Sequence, residues 1–142
     1  MPVRTAADRR RQAKVAYDAY LANCPSRQLL DTVADKWVCL VLSGLADGPK
    51  RHSQLARLIA GVSQKMLTQT LRSLVRDGLV LRTVTPSVPV RVDYALTALG
   101  RGLQVEVSHL KRWAEQHMRE IIEARHRYDA SEPAVLKTAA AS

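Results

Sequence analysis

Five side chains able to contact a polyanion recur at helical spacing between residues 64 and 76: Lys65, Thr68, Gln69, Arg72 and Arg76. No acid follows them until Asp77. In the major groove of DNA, Arg and Lys hydrogen-bond to guanine, and Gln does so to adenine. The pattern is therefore typical of a helix that enters the major groove. Taken alone, it is explained equally well by a solvated charged helix face.

The helix that would carry these residues has recognisable ends. Ser63 is a good N-cap, because its hydroxyl can accept a hydrogen bond from a first-turn backbone N–H, and Gly78 is a matching stop. Four apolar residues recur at i, i+4, i+7 and i+8: Leu67, Leu71, Leu74 and Val75. This spacing predicts a buried side opposite the cationic one.

The flanking segments favour a winged helix-turn-helix. A short helix capped by Ser53 precedes the turn at Gly61, which predicts a helix-turn-helix, although any small helical bundle could show the same pattern. Residues 79–85 are rich in Leu, Val and Thr, and residues 90–96 alternate between apolar and other side chains, which predicts two strands joined by a proline-containing loop at 86–89. Arg82 and Arg91 lie on this hairpin, where a wing would meet phosphate or the minor groove; a solvated hairpin is the alternative.

Three further helices are predicted outside this motif. One covers Gln12 to Leu21, behind a solvated and partly frayed terminus (residues 1–14) that we favour over a DNA-touching arm. A single core helix runs from Leu29 to Leu45, with Trp37 as its main packing anchor and Cys39 as a buried small hydrophobe. A long helix capped by Thr97 continues to about Tyr128.

That last helix is too long for a small domain to cover alone. Its surplus apolar face, which includes Trp113, predicts contact with a second copy of the chain, because two-fold homodimers are the commonest assembly. The organisation expected is a basic N-terminal arm and helix (1–22), the winged helix-turn-helix (23–96), a dimerisation helix (97–128) and a disordered tail (129–142). The fold class is mainly α with a small β-hairpin.

Charge and composition restrict the classes of function that the chain can have. The chain has 142 residues and a net charge of +9, and the segment from Lys50 to Arg91 holds eight cations against one acid, a net of +7. Such clustering is typical of polyanion binders. No membrane-spanning segment or signal peptide is evident, which predicts a cytoplasmic, nucleoid-associated protein and no membrane partner.

Catalysis and metal binding are not expected. The only two cysteines, Cys24 and Cys39, lack metal-ligand spacing, and the four histidines are scattered. No phosphate-binding Gly-rich loop, zinc-protease motif or nucleophile elbow is present. We therefore predict no enzyme activity, no catalytic residue, no metal and no cofactor.

Several segments together resemble the HxlR-type family of bacterial winged-helix transcriptional regulators, over about Cys24 to Trp113. The matching stretches are CPSRQLLD, DKWVCLVL, LADGPKRHSQL, GVSQKMLTQTLRSLVRDGLVLRTV and PSVPVRVDYALTALGR. Two departures are visible. His52 stands where the family commonly has an aromatic residue, usually Phe, and Ala34-Asp35 replaces a frequent Gly-Gly.

The resemblance implies a homodimer, joined through its N-terminal and C-terminal helices, that binds operator DNA and regulates transcription, which we interpret as repression. Several family members respond to oxidants or electrophiles through a cysteine at the position of Cys24. An oxidant or a small ligand is therefore an expected effector; the alternative for Cys24 is an inert, half-buried thiol. A thiol near Arg27, or close to a helix N-terminus, would have a lowered pKa.

Within this interpretation the DNA-binding residues divide by role. Arg51 and Arg76 would contact the DNA backbone, and Arg91 would contact phosphate or the minor groove. The residues at or near base edges are those of the capped helix: Ser63, Gln64, Lys65, Thr68, Gln69 and Arg72. Two such helices in a dimer predict a pseudo-palindromic operator with half-sites one turn apart. The alternative function is a winged-helix module for protein interaction that never meets nucleic acid.

Overall fold

The computed structural model describes residues 3–132 and confirms a mainly helical chain with one two-stranded antiparallel hairpin. These residues fall into two compact units that divide between Arg101 and Gly102. The elements, in order, are α1 (Ala6–Asn23), α2 (Pro25–Val33), α3 (Lys36–Gly44), α4 (His52–Leu58), α5 (Gln64–Arg76), β1 (Val80–Thr85), β2 (Arg91–Leu96) and α6 (Ala98–Ser131).

The predicted single helix from Leu29 to Leu45 is wrong, because the chain breaks at Ala34 and Asp35 into α2 and α3. The Asp35 carboxylate accepts a hydrogen bond of 2.8 Å from the backbone N–H of Trp37, so it caps a new helix instead of continuing the old one. The break resets the helical phase. Trp37 is consequently only half-buried and not the packing anchor, whereas Val41 and Leu42 are fully buried.

The N-terminal helix is longer than predicted. α1 starts at Ala6 because Thr5 and Asp8 form a capping box: the Thr5 hydroxyl accepts from the Asp8 backbone N–H at 3.1 Å, and the Asp8 carboxylate accepts from the Thr5 backbone N–H at 3.1 Å. The prediction of a frayed segment over residues 1–14 is therefore wrong from Ala6 onwards. α1 has no buried residue.

The core of the first unit is made of leucines from α3, α4 and α5. Its largest fully buried side chains are Leu42, Leu55, Leu67, Leu71, Leu74 and Val41. Each buried leucine contributes about 1.5–3 kcal/mol relative to an exposed one. Gly61 supplies the turn between α4 and α5 with a φ of 84°, a left-handed conformation that glycine adopts without steric cost.

The hairpin matches its predicted limits to within one residue, and its register pairs Val80 with Leu96 and Thr85 with Arg91. One further contact was not predicted. Lys50, just before α4, exchanges backbone hydrogen bonds of 2.9 and 2.8 Å with Tyr94 on β2. This bridge ties the base of the hairpin to the start of α4.

Thr97 caps α6, as predicted, and also fastens it to the end of α5. Its hydroxyl accepts from the Gly100 backbone N–H at 3.0 Å and donates to the Gly78 carbonyl at 2.6 Å. The approach is so close that a Cβ on Gly100 would lie 1.9 Å from the Leu79 carbonyl oxygen. Glycine is therefore required where α6 begins.

α6 extends to Ser131, past the predicted end at Tyr128, so the first residues of the predicted tail are helical. The rest of that tail, residues 133–142, lies outside the described residues. Along the described part of the chain, no helix has both the length and the apolar character to cross a bilayer.

Candidate nucleic-acid interface

α5 has the two-sided character that the sequence predicted. The Ser63 hydroxyl caps it by accepting a 3.1 Å hydrogen bond from the Met66 backbone N–H. Leu67, Leu71 and Leu74 are buried against the core. The six predicted DNA-contacting residues of this helix are all exposed: Gln64, Lys65, Thr68, Gln69, Arg72 and Arg76. The leucine side fixes the helix and leaves the cationic side open.

In the described part of the chain, no ion pair neutralises the positive charge of this surface. Among residues 3–132, Lys65, Arg72 and Arg76 form no ion pair, and neither does Arg51. An exposed cation without an internal partner keeps its full charge for a ligand, and several on one helix raise the local positive potential. The surface of α5 is thus suited to a polyanion.

Arg76 differs from the other cations in its surroundings. It lies at the last turn of α5 and lines a depression of about 300 Å³ together with Asp31, Asp35 and Asp77. Within the described chain none of these carboxylates forms an ion pair with Arg76, but their charge lowers the positive potential around it. The cationic character of α5 is therefore greatest towards its N-terminal turns.

The hairpin loop and the start of α4 form a second basic feature. A cleft of about 520 Å³ is lined by Arg51, His52, Ser53 and residues 87–92, so it brings Arg51 and Arg91 together. The Arg91 guanidinium is oriented by Asp93, with Nε 3.0 Å from Oδ2. Arg82 faces solvent on β1, opposite Tyr94.

The start of α4 is not capped as predicted. Ser53 lies inside the first turn, and Arg51 takes the N-cap position, where its backbone N–H donates to Gln54 Oε1 at 2.8 Å. His52 is the first residue of the helix, and its Nε2 is 3.1 Å from the Thr68 hydroxyl on α5. Sequence reasoning noted His52 only as a departure from the family pattern, because nothing local indicates a partner sixteen residues away.

Cys24 occupies the N-cap position of α2, with Pro25 in the first turn. The backbone N–H groups of Arg27, chiefly, and of Ser26 at the helix N-terminus hold the pKa of the Cys24 thiol below its usual range, although neither forms a capping hydrogen bond of standard geometry with the side chain. The expected lowering is therefore caused by backbone groups at the helix terminus and not by the charge of the Arg27 side chain.

Cys39 has the opposite character. It is half-buried, not fully buried as predicted, and its thiol donates to the Val33 carbonyl oxygen at 3.3 Å. Burial, with a smaller contribution from the Asp35 carboxylate, raises the pKa of the Cys39 thiol. Both cysteines are free. Within residues 3–132, no group of three or more His, Cys, Asp or Glu side chains is arranged to hold a metal ion.

Comparison with known proteins agrees with this geometry. Residues 32–122 match the HxlR-like helix-turn-helix family, a span that includes α3 to α5, the hairpin and most of α6. The chain belongs to the HxlR-like helix-turn-helix family. The HxlR-like relatives carry names that describe transcriptional regulators. The uncharacterized HTH-type transcriptional regulator YtfH of Escherichia coli K12 is 41% identical over 106 residues, which cover 75% of this chain and 84% of YtfH.

Solved structures show the same HxlR-like fold. One is a candidate transcriptional regulator, ytfH from Salmonella typhimurium, with a TM-score of 0.67 at 40% identity, over 74% of this chain and 94% of that one. Another is the redox regulator HypR in its reduced form, with a TM-score of 0.65 at 37% identity, over 70% of this chain and 98% of that one. HypR is also solved in an oxidized form.

Proposed function

We propose that this chain is a transcriptional regulator that binds a pseudo-palindromic DNA operator as a homodimer, and that it represses. The observation that carries the proposal is the cationic side of α5, which forms no ion pair within residues 3–132 and is held outward by buried leucines. A helix of this kind fits the major groove, which is about 12 Å wide. Gln64, Lys65, Thr68, Gln69 and Arg72 would then lie near base edges.

The remaining proposed contacts are with the DNA backbone. Arg51 and Arg91 share the cleft between α4 and the hairpin loop, where both can meet phosphate on the flank of the groove. Arg76, beside three carboxylates, would make the weakest of these contacts. Ser63 lies at the N-terminus of α5, where it would contact a phosphate or a base.

Dimerisation is supported by apolar surface that each unit leaves exposed. In the first unit, α1 exposes Val15, Tyr17 and Tyr20, although it is an 18-residue helix. In the second unit, α6 exposes Trp113 and Tyr128, each at least half accessible. Large apolar side chains that stay exposed on helices are typical of surfaces that a partner covers. Two-fold pairing would place two α5 helices about 34 Å apart, one turn of DNA.

An effector is proposed to act through Cys24. Its lowered pKa increases the fraction of thiolate, which is the form that oxidants and electrophiles attack. The likeness to a redox regulator solved in both oxidized and reduced forms supports the same role. A small ligand is the other proposed effector.

The alternative is a protein-interaction module that binds no nucleic acid. Fluorescence anisotropy with duplexes from the chain's own upstream region, titrated at two salt concentrations, separates the two functions. We expect Arg72→Ala and Gln69→Ala each to cost about 1–3 kcal/mol and to relax sequence preference. Gln116→Ala, an exposed glutamine on α6, is the control. Wild-type protein that shows no salt-sensitive association with any duplex would contradict the proposal.

The effector is tested by footprinting the same region with and without a thiol oxidant. We expect the oxidant to change the footprint of the wild type and to leave that of Cys24→Ser unchanged. A response that persists in Cys24→Ser would move the redox site to Cys39 or remove it.

A further inference from the structure

One side-chain hydrogen bond joins the two helices of the helix-turn-helix at its exposed surface. His52 Nε2, on the first turn of α4, lies 3.1 Å from the Thr68 hydroxyl on α5. A helical threonine commonly satisfies its hydroxyl on the carbonyl one turn earlier. Among residues 3–132, the hydrogen-bond partner of the Thr68 hydroxyl is instead the His52 ring. Thr68 is exposed on the cationic side of α5, while His52 is half-buried behind it.

Both ends of this hydrogen bond are rigidly supported. Three residues after His52, Leu55 is completely buried and fixes α4. Leu67, next to Thr68, is also completely buried and fixes α5. The Gln54 side chain holds the backbone at the start of α4. Side chains supported in this way keep one orientation, which is what precise recognition of a ligand requires.

We propose that His52 is a positioning residue for specificity: its hydrogen bond sets the orientation and polarity of the Thr68 hydroxyl, which then selects one base pair of the operator. This inference rests on the proposed DNA binding by α5. A hydroxyl has one proton and two lone pairs. If the Thr68 hydroxyl donates its proton to His52, it can only accept a hydrogen bond from a base in the major groove. A hydroxyl that accepts from His52 keeps its proton as well as its second lone pair, so it can also donate towards the groove.

The two arrangements select different groups on DNA. An accepting Thr68 favours an amino group, on adenine N6 or cytosine N4. A donating Thr68 favours an acceptor, on guanine N7 or O6, on adenine N7 or on thymine O4. Without His52 the hydroxyl rotates freely and serves either group. The base preference at that position is then lost, although the hydroxyl remains.

The test is selection from a pool of randomised duplexes, followed by sequencing of the bound fraction, for wild type, Thr68→Val and His52→Phe. Val removes the hydroxyl at nearly constant shape, and Phe keeps the planar ring without the hydrogen bond. We expect both variants to reduce the preference for one base at the same symmetry-related positions of the selected motif. The reduction should be about threefold to tenfold. The other positions should be unchanged, and the double variant should lose no more than either single one.

A second pair of variants tests the same inference with small side chains. The Gln amide can reach the place of Nε2, whereas the shorter Asn amide cannot. We expect His52→Gln to retain the preference and His52→Asn to lose it, with thermal melting to verify that each variant is folded. This pair also decides the matter if His52→Phe does not fold.

Three results would overturn the inference: uniform weakening at all positions in His52→Phe, flattened positions that differ from those of Thr68→Val, or equal loss in His52→Gln and His52→Asn. A wild type that binds duplexes but selects no motif would also overturn it, while leaving DNA binding in place. A wild type that binds no duplex would overturn the proposed function itself.

Discussion

Replacing Arg51 by Gln tests whether the basic cleft beside the hairpin holds a DNA phosphate. The Arg51 side chain is exposed, and within residues 3–132 it forms no ion pair, so its charge should not be needed for folding. Gln keeps a polar side chain of similar path and removes one positive charge. Any large change in DNA affinity would therefore reflect a lost contact with the ligand.

The magnitude follows from counting the charges at the interface. Three cations of each protomer are proposed to contact the DNA backbone, namely Arg51, Arg76 and Arg91. A dimer then offers about six phosphate contacts, and the slope of log K against log salt is about −5.4. Arg51→Gln removes about two contacts per dimer, which reduces the slope to about −3.6.

Anisotropy titrations between 50 and 200 mM salt measure this difference. Over that fourfold range of salt, the wild type should lose about twelvefold more affinity than Arg51→Gln, from the change in slope of about 1.8. Sequence preference should not change, since phosphate contacts carry no base information. Arg127→Gln, on α6, is the charge-matched control. An unchanged slope in Arg51→Gln, or an equal change in Arg127→Gln, would refute the assignment of Arg51 to the DNA backbone.

Two further predictions concern stability and thiol reactivity. Gly100→Ala should lower the melting temperature by several degrees, because its Cβ would lie 1.9 Å from the Leu79 carbonyl oxygen and such overpacking costs about 1–3 kcal/mol. Gly102→Ala, with no atom within 4 Å of the added Cβ, should instead gain about 0.5–1 kcal/mol, and a similar loss in both variants would contradict the reasoning. At pH 7.5, iodoacetamide should modify Cys24 faster than Cys39, because a lowered pKa increases the thiolate fraction and a raised pKa decreases it. Peptide mass spectrometry measures both rates, and faster modification of Cys39 would show that the thiol environments are wrongly assigned.

The features that sequence predicted well are those set by neighbours along the chain. α5 follows from a serine cap, a leucine repeat and a glycine stop, all within 16 residues, and the structure retains each of them. The hairpin likewise follows from a Leu-, Val- and Thr-rich segment and an alternating segment on either side of a proline-containing loop. In both elements, local propensity and burial favour the same conformation, which is why the sequence pattern is enough to predict the element.

The break between α2 and α3 shows where a periodic pattern misleads. Apolar residues continue through Ala34 and Asp35 at nearly helical spacing, so the segment looks like one helix. The Asp35 carboxylate can cap the backbone of Trp37, and this local hydrogen bond competes successfully with helix continuation. After the break, a different set of residues faces the core. Trp37, which was predicted to anchor the packing, is therefore only half-buried.

Contacts between distant residues were beyond sequence reasoning, and the proposed specificity of the site depends on one of them. Lys50 reaches Tyr94, and His52 reaches Thr68, only because the core leucines have already placed α4 against α5 and the hairpin. The residues expected to read DNA could be predicted because they recur at the spacing of one helix face. A residue that orients one of them from a neighbouring helix leaves no periodic trace in the sequence. Specificity in this fold can therefore change through α4 while the reading surface of α5 stays the same.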